Sequence, residues 1–401
     1  MVLAIYLNSA GFGGAEMLLL RFCAFLRQEN IDHYVVDSPD SFFGRELERS
    51  GTVVIRMDNR GPQATHFFVP YSAMLREAIA WASFLPQAKV LAWIISPNES
   101  FVPNYPLVGT ILRHLGYRGA YIWTRVLWMH RRHVVALIGT LREGCGLLLM
   151  DGATRRVTDY ILGGSAALSI STLPIPAPIE KSPRVKRVNT DGLNVGYFGR
   201  VEDFKFSALK GFISSSLAEH AKYESVTLHL VGTGPRIEDV RRVCLTAGIS
   251  LVEHGFLDNE SARSVLIANC DLGAAMGTAA LDLAGSGLTT IVIDPSLRSD
   301  YLSQRKFRFV SEIEDYTLGE YRDFPGYVAG KHTFPEVVNI IRSNKELAGA
   351  GKEYVKNNHD PRLIFEALLN YISCSSVCVH QVQHSAEKIT RRIDIARTLY
   401  S

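Results

Sequence analysis

Two cations near the middle of the chain have the spacing and setting of a phosphate site. Arg200 follows an apolar run at residues 193–198, and Lys205 comes five residues later. An arginine at the carboxyl end of a parallel strand, with a lysine close behind, places two cations in the crevice where open α/β sheets bind ligands. Such a pair neutralises a diphosphate and stabilises the charge that develops as a bond to it breaks. Taken alone, the two are more often solvated surface charges.

Small residues follow several other apolar runs and let the backbone approach a ligand closely. Gly13 and Gly14 precede an apolar-periodic helix, whose N-terminus presents free N–H groups to an anion. A dinucleotide fingerprint would need glycine where the chain has Glu16, so that match fails, and a tight strand-to-helix turn is the alternative. The other candidates for contact with a nucleotide are Gly232, Gly234 and Pro235, then His254, Gly255 and Phe256, then Gly277 and Thr278.

Asp282 lies one helical turn beyond Thr278, where its carboxylate could accept hydrogen bonds from a ribose. The alternative is an amphipathic helix with one exposed acid. His254 is favoured as a structural turn residue over a catalyst. Loops of the first half supply further polar candidates, Asn98, Glu99 and Asp151.

The elements that must position these residues form two α/β domains. A chain of 401 residues is longer than a single hydrophobic core usually supports, so two domains are expected. Short apolar runs alternate with helical patterns, which predicts parallel sheets built from βαβ units. We predict a first domain at 1–172, a proline-rich linker at 173–190, a second domain at 191–360, and C-terminal helices at 361–401 that pack back on the first domain.

The composition indicates which partners and which cellular compartment are expected for the protein. Hydrophobic residues make up 47% and charged residues 21%, as in folded soluble proteins. A net charge of +3 gives no global attraction to nucleic acid. Six scattered cysteines favour reduced thiols, and the first residues suggest a strand rather than a secretory signal. We therefore expect a cytoplasmic protein.

The order of these segments resembles the GT-B glycosyltransferases, particularly glycosyltransferase family 4. Gly13-Gly14-Ala15-Glu16 is similar to the family's Gly-Gly loop, and Arg200 and Lys205 keep its Arg-to-Lys spacing. Residues 230–235, Leu-Val-Gly-Thr-Gly-Pro, resemble its "VG-x-GP" turn, and 254–256 and 269–272 resemble the stretches that follow. The likeness is strong from about 193 to 294 and loose in the first half.

The resemblance implies two Rossmann-like domains with an interdomain cleft and a C-terminal helical segment. It implies transfer of a sugar from a nucleoside-diphosphate sugar to a saccharide or lipid-linked saccharide, in cell-surface polysaccharide synthesis. The family retains anomeric configuration and needs no essential metal or other cofactor. Arg200 and Lys205 would hold the donor diphosphate and Asp282 the ribose, while Glu16, Asn98, Glu99 and Asp151 would lie on the acceptor side.

One departure concerns the family's two glutamates, which stand eight residues apart. Asp282 takes the second position, and counting back eight residues reaches Ala274, so the first glutamate is absent. This leaves the donor sugar open. Two alternatives remain: a sugar-nucleotide epimerase on the same scaffold, for which no convincing acid/base pair is found, and a non-catalytic protein that retains the fold.

A basic helical face suggests contact with a membrane surface. Arg118, Arg125 and Arg132 recur every seven residues, with aromatic residues between them, and so share one side of a helix. Such a face can lie on anionic lipid at the inner side of the plasma membrane. A solvated helix face that packs on its own domain is the alternative.

Four possible metal ligands lie close together near the end of the chain, at Cys374, Cys378, His380 and His384. Structural zinc sites usually draw two ligand pairs from separated segments. The compact spacing therefore argues against zinc, and no metal site is predicted.

Overall fold

The computed structural model describes residues 1–7, 13–70, 75–95, 128–162, 169–179, 192–296, 304–322, 324, 326–344 and 346–384. These residues form two compact units. Unit 1 takes those up to Pro176 together with those from Arg362 onward, and unit 2 takes those from Ala177 to Pro361.

Unit 1 is built on a sheet of seven parallel strands in the order β3-β2-β1-β4-β5-β6-β7. Its strands are β1 (Val2–Tyr6), β2 (Asp32–Val36), β3 (Val53–Ile55), β4 (His66–Val69), β5 (Lys89–Ile94), β6 (Leu147–Leu149) and β7 (Ser171–Thr172). The central strands are continuous apolar runs because helices cover both faces of a parallel sheet. Trp93 on β5 is fully buried, and its indole N–H donates to the carbonyl of Leu173 at 3.1 Å.

The helices that precede or follow these strands carry their apolar residues on one side. They are α1 (Gly14–Gln28), α2 (Phe42–Arg49), α3 (Leu75–Trp81), α4 (Trp128–Glu143) and α5 (Gly152–Leu162). In α1, for example, Leu18, Leu19, Phe22 and Leu26 recur at helical spacing and are buried.

Unit 2 has a sheet of five parallel strands in the order β10-β9-β8-β11-β12. The strands are β8 (Leu193–Phe198), β9 (Val226–Val231), β10 (Ser250–Gly255), β11 (Leu272–Ala275) and β12 (Thr290–Val292). The helices are α6 (Asp203–Gly211), which continues into a π-helical turn at Phe212–Leu217, α7 (Ile237–Ala247), α8 (Asn259–Asn269), α9 (Thr278–Gly285), α10 (Phe334–Ser343) and α11 (Leu347–His359).

From Arg362 onward, helix α12 (Pro361–Cys374) belongs to unit 1. The ring of Phe365 lies 5.3 Å from that of Phe22 and 5.5 Å from that of Phe25, both on α1. Just beyond α12, the buried hydroxyl of Ser375 donates to the carbonyl of Val90 at 2.6 Å. The C-terminal part of the chain therefore completes the core of unit 1.

The first residues of the predicted linker are packed rather than free. Leu173 donates its N–H to Leu149 in unit 1, and Ala177 donates its N–H to His359 in unit 2. Ile175 and Ala177 are both buried. The prolines in this stretch thus end regular structure without exposing the chain, and the change of unit falls between Pro176 and Ala177.

Both sheets have the strand order of a doubly wound fold. From β8 the chain runs outward to β9 and β10, and then returns to the other side of β8 for β11 and β12. The carboxyl ends at such a reversal form the crevice that binds ligands in open α/β sheets. The predicted α/β class with two parallel, Rossmann-like sheets is confirmed.

Candidate functional site

The predicted site residues of unit 2 lie at one edge of its sheet. Arg200 follows β8, Gly232 follows β9, Gly255 ends β10 and Gly277 follows β11. Because the four strands are parallel and adjacent, their carboxyl ends meet at the same edge. The reversal between β8 and β11 therefore brings the Arg200 loop and the Gly277 turn next to each other.

The turns after β8 and β9 are in direct backbone contact. Gly199 donates its N–H to Val231 at 3.1 Å, and Val201 donates its N–H to Thr233 at 3.0 Å. A Cβ atom at Gly232, where φ is 136°, would lie 2.0 Å from the carbonyl oxygen of Gly199. One at Gly234 would lie 2.3 Å from that of Val201. Glycine is required here because no side chain fits between the two turns.

Arg200 and Lys205 share one electrostatic environment. Arg200 pairs with Glu202 at 2.9 Å, and the two side chains are 54% and 36% exposed. Burial lowers the pKa of Lys205, the charge of Arg200 lowers it further, and Glu202 raises it. An anion bound beside both cations would favour the charged form of Lys205, since opposite charges stabilise each other. The protein thus holds two cations close together with one carboxylate beside them.

Glu202 competes with an anionic ligand for Arg200, which gives a first prediction. Exposed ion pairs contribute about 0.2–1 kcal/mol, so Glu202→Gln is expected to raise the affinity for a nucleoside diphosphate, by up to roughly fivefold. Isothermal titration with the wild-type protein and the variant measures this change. A lower affinity in Glu202→Gln would mean that the carboxylate positions Arg200 rather than occupying it.

The turn after β11 is held in place by a distant loop. Gly277 has φ 61°, a conformation that favours glycine, and donates its N–H to the carbonyl of Leu318 at 2.7 Å. Thr278 then begins α9. The N–H groups of the first turn of α9 lie at the edge occupied by the Arg200 loop, where they can bind phosphate oxygens.

Asp282 is on α9 but is only 5% exposed. One of its carboxylate oxygens lies 3.9 Å from the guanidinium of Arg263 on α8. The alternative of an exposed acid on an amphipathic helix is therefore wrong, while the ribose contact stays a prediction. Ala274 is a fully buried residue of β11. Only two residues separate β11 from α9, so the position eight residues before Asp282 is a buried strand position.

His254 is the second-last residue of β10 rather than part of a turn, and its ring lies edge to edge with that of His229 on β9. The rings are 5.5 Å apart and nearly parallel, with Nε2 of His254 lying 3.2 Å from Nδ1 of His229. Burial lowers the pKa of both imidazoles, and the neighbouring His254 lowers that of His229 further. Both rings are therefore favoured in the neutral form.

This pair predicts loss of stability in mild acid. A histidine with a pKa below its ordinary value of 6.5 binds fewer protons in the folded state than in the unfolded state. Its contribution is complete above pH 6.5 and falls as the pH drops through 6.5 toward the lower folded pKa. We expect the free energy of unfolding of His229→Gln to change less between pH 7 and pH 5 than that of the wild type. Identical pH profiles in urea titrations would contradict this.

A buried carboxylate at the end of β12 was missed by the sequence analysis. Asp294 is fully buried and accepts hydrogen bonds from the side chains of Arg308, Tyr327 and Gln304 and from the N–H of Glu320. These bonds hold the segment that carries Leu318, the partner of Gly277. The only local indication of this site in the sequence was an aspartate just after a predicted strand. Its four hydrogen-bond partners all lie later in the chain.

The candidates of unit 1 lie at two strand ends. Gly13 precedes α1, Gly14 begins it, and Glu16 is in its first turn. Asp151 is buried and accepts the N–H of Thr154 at 2.7 Å, so its carboxylate caps α5. This bond gives Asp151 a structural role that the sequence did not reveal. Asn98, Glu99, Arg118 and Arg125, and the side chain of Arg132, lie outside the described residues.

Two absences hold for the part of the chain that the structure describes. It contains no group of three or more His, Cys, Asp or Glu side chains arranged to hold a metal ion. It also contains no helix that is both long and apolar enough to cross a membrane.

Comparison with solved structures places this architecture among known folds. The chain is similar to HepE from Anabaena in complex with UDP-glucose, with 15% identity over 93% of this chain and 99% of that one and a TM-score of 0.56. A glycosyltransferase from Rickettsia africae matches with 11% identity, 94% and 98% coverage and a TM-score of 0.59. S. aureus TarM, solved with UDP, matches with 10% identity, 93% and 100% coverage and a TM-score of 0.55.

Sequence comparison adds nothing to this likeness, since no protein-family model and no curated protein matches the chain. Membership of glycosyltransferase family 4 therefore stays a prediction. The structural matches extend over nearly the whole chain and over nearly the whole of each matched protein. The chain has the fold of the GT-B glycosyltransferases.

Proposed function

We propose that the chain is a glycosyltransferase that moves a sugar from a nucleoside-diphosphate sugar to a saccharide or lipid-linked saccharide acceptor, with retention of anomeric configuration. The observation that carries this proposal is the pairing of Arg200 and Lys205 with glycine turns at the reversal point of the unit 2 sheet. The bound UDP and UDP-glucose named for HepE, and the UDP named for TarM, support a donor of this class.

The proposed roles of the site residues follow from where negative charge develops during sugar transfer. The bond from the anomeric carbon to the diphosphate breaks, a bond to the acceptor oxygen forms, and the departing diphosphate takes up the negative charge. In this proposal, Arg200, Lys205 and the N–H groups at the start of α9 stabilise that charge more than the charge of the intact donor. The departing oxygen can accept the acceptor's proton, so the step requires no separate base.

The remaining parts of the proposal concern the acceptor and the setting. Glu16, Asn98, Glu99 and Asp151 are proposed for the acceptor side, and Gly13 and Gly14 for contact with the donor. A cytoplasmic enzyme of cell-surface polysaccharide synthesis, resting on the inner membrane face through Arg118, Arg125 and Arg132, is the setting that fits a lipid-linked acceptor.

A thermal-shift panel followed by donor turnover tests this function. UDP, GDP and ADP are added to the purified chain, and the corresponding donor sugars are then followed for release of nucleoside diphosphate. We expect at least one nucleotide to raise the melting temperature and its donor to be cleaved. No shift with any of the three would reject the proposal, and an isomerised donor would indicate an epimerase instead.

A non-catalytic binding protein is the second candidate, and a specific observation favours it. Ala274, eight residues before Asp282, is a fully buried residue of β11, so no carboxylate is present at that position to contact a donor sugar. Nucleotide binding without cleavage of any donor, in the presence of mixed saccharide acceptors, would support this second candidate over the first.

A further inference from the structure

A chain of hydrogen bonds crosses three strands of unit 2 and ends at His254. At its start, one carboxylate oxygen of Asp271 accepts the backbone N–H of Asn194 at 2.8 Å and the side-chain nitrogen of Asn194 at 3.4 Å. A carboxylate only accepts hydrogen bonds, so the part of the Asn194 side chain that faces Asp271 must be its NH2 group. The amide oxygen of Asn194 therefore points the other way, toward Nε2 of His229 at 3.4 Å.

The orientation of Asn194 fixes the tautomers of both histidines. Since its amide oxygen can only accept, Nε2 of His229 carries the hydrogen. Burial lowers the pKa of His229, which keeps the ring neutral near pH 7 and leaves its Nδ1 without a hydrogen. That nitrogen lies 3.2 Å from Nε2 of His254, which must then be the donor.

The same reasoning makes Nδ1 of His254 an acceptor. Burial lowers the pKa of His254 as well, so its ring is neutral and carries its one hydrogen on Nε2. The ring is half-buried, and among the described residues no donor reaches its Nδ1. The three strands thus prepare one hydrogen-bond acceptor of defined polarity.

The two residues that follow His254 are suited to hold a nucleobase. Gly255, the next residue, accepts the N–H of Gly232 at 2.8 Å, which ties the end of β10 to the glycine turn after β9. Phe256 follows at the carboxyl edge of the sheet and is 80% exposed. Exposed aromatic rings provide sequence-tolerant stacking for bases, whereas the choice between bases needs a polar contact.

Base chemistry then indicates which nucleotides fit. Uracil and guanine carry an N–H between two ring carbonyl or amino substituents, at N3 and N1 respectively. Cytosine and adenine have a bare nitrogen at the equivalent positions. If such a nitrogen faced Nδ1 of His254, two hydrogen-bond acceptors would face each other with no hydrogen between them. This costs binding free energy in a desolvated site.

We infer that His254 selects nucleoside diphosphates whose base carries a ring N–H, uracil or guanine, and that His229, Asn194 and Asp271 hold it in the acceptor tautomer. This inference rests on the proposed function, because it names the donor class for the same site. It assigns His254 a binding role, and it assigns the other three residues a positioning role.

Binding of four nucleotides tests the selectivity. Isothermal titration at pH 7.5 with UDP, GDP, CDP and ADP is expected to show UDP or GDP binding about tenfold or more tighter than CDP and ADP. Comparison of UDP with GDP decides which of the two bases is used, and methylation of its ring nitrogen should remove the advantage. His254→Phe, which keeps an aromatic ring, should bring the favoured nucleotide down to the level of CDP or ADP.

The matched control is His380→Phe in unit 1, which should leave all four affinities unchanged. Equal binding of the four nucleotides, or full selectivity in His254→Phe, would overturn the inference and leave the proposed function standing. Failure of all four to bind would overturn both.

The tautomers can be measured without any ligand. Long-range proton–nitrogen NMR of the protein labelled at histidine should show both His229 and His254 with hydrogen on Nε2 at pH 7.5. Asn194→Leu should release this constraint and reduce the selectivity for the favoured nucleotide while His254 is intact. A hydrogen on Nδ1 of His254 in the wild-type protein would overturn the inference directly.

Discussion

Replacing Arg200 by alanine is expected to slow cleavage of the sugar donor by about 10²- to 10³-fold, the loss typical of removing one preorganised charge-stabilising group. Lys205→Ala should cause a loss of the same order. Both cations lie at the reversal point of the sheet, where the departing diphosphate would develop its charge. Single-turnover kinetics measures the effect apart from product release. Arg200→Lys should recover only part of the rate, because lysine keeps the charge without the planar fork.

Two substitutions outside the site are matched controls for this prediction. Lys210→Ala removes a lysine five residues beyond Lys205, and Arg242→Ala removes an exposed arginine of α7. Both should leave the rate of donor cleavage unchanged. Near-wild-type rates in both Arg200→Ala and Lys205→Ala would reject the diphosphate site.

Gly232→Ala is expected to abolish measurable nucleotide binding. The added Cβ would lie 2.0 Å from the carbonyl oxygen of Gly199, and its φ of 136° is unfavourable for any residue with a side chain. The turns after β8 and β9 would have to separate, which moves the Arg200 loop and breaks the bond from Gly232 to Gly255. We expect a loss of about 1–3 kcal/mol in the free energy of unfolding as well.

Gly349→Ala is the control for this second substitution, since no atom lies within 4 Å of the added Cβ and the residue is inside helix α11. It should leave binding unchanged and stabilise the chain slightly, because alanine favours helix over glycine. Titration calorimetry and thermal melting of the two variants give both quantities. Retention of wild-type affinity by Gly232→Ala would show that the turn does not shape the site.

The sequence was sufficient for the fold because its signals are local. Strands β8, β9 and β11 are short, mainly apolar runs, and a glycine follows each of them within two residues, so both the parallel sheet and the strand-end positions of Arg200, Gly232 and Gly277 could be predicted. The register between β9 and β10 places His229 opposite Val252, and His254 lies at an irregularity of that register, where its ring reaches His229. No spacing rule in a single sequence reveals that pairing.

Counting residues against a family pattern does not reveal in which element a position lies. The position eight residues before Asp282 falls inside β11, because this chain passes from β11 to α9 almost directly. Asp294 is a second case in which the sequence did not reveal the surroundings of a residue. Its partners Gln304, Arg308 and Tyr327 are polar residues of an irregular segment, and only the folded chain shows that they share one carboxylate.

The completion of the unit 1 core by helix α12 has a consequence for folding during translation. Phe22 and Phe25 are synthesised long before their partner Phe365, and residues 177–361 of unit 2 come between them. Between Ala177 and Pro361, unit 2 can finish folding while unit 1 still exposes apolar surface on α1. The nascent chain is therefore expected to need a chaperone for most of its translation, and a stop codon before position 365 should yield aggregates rather than a shortened enzyme.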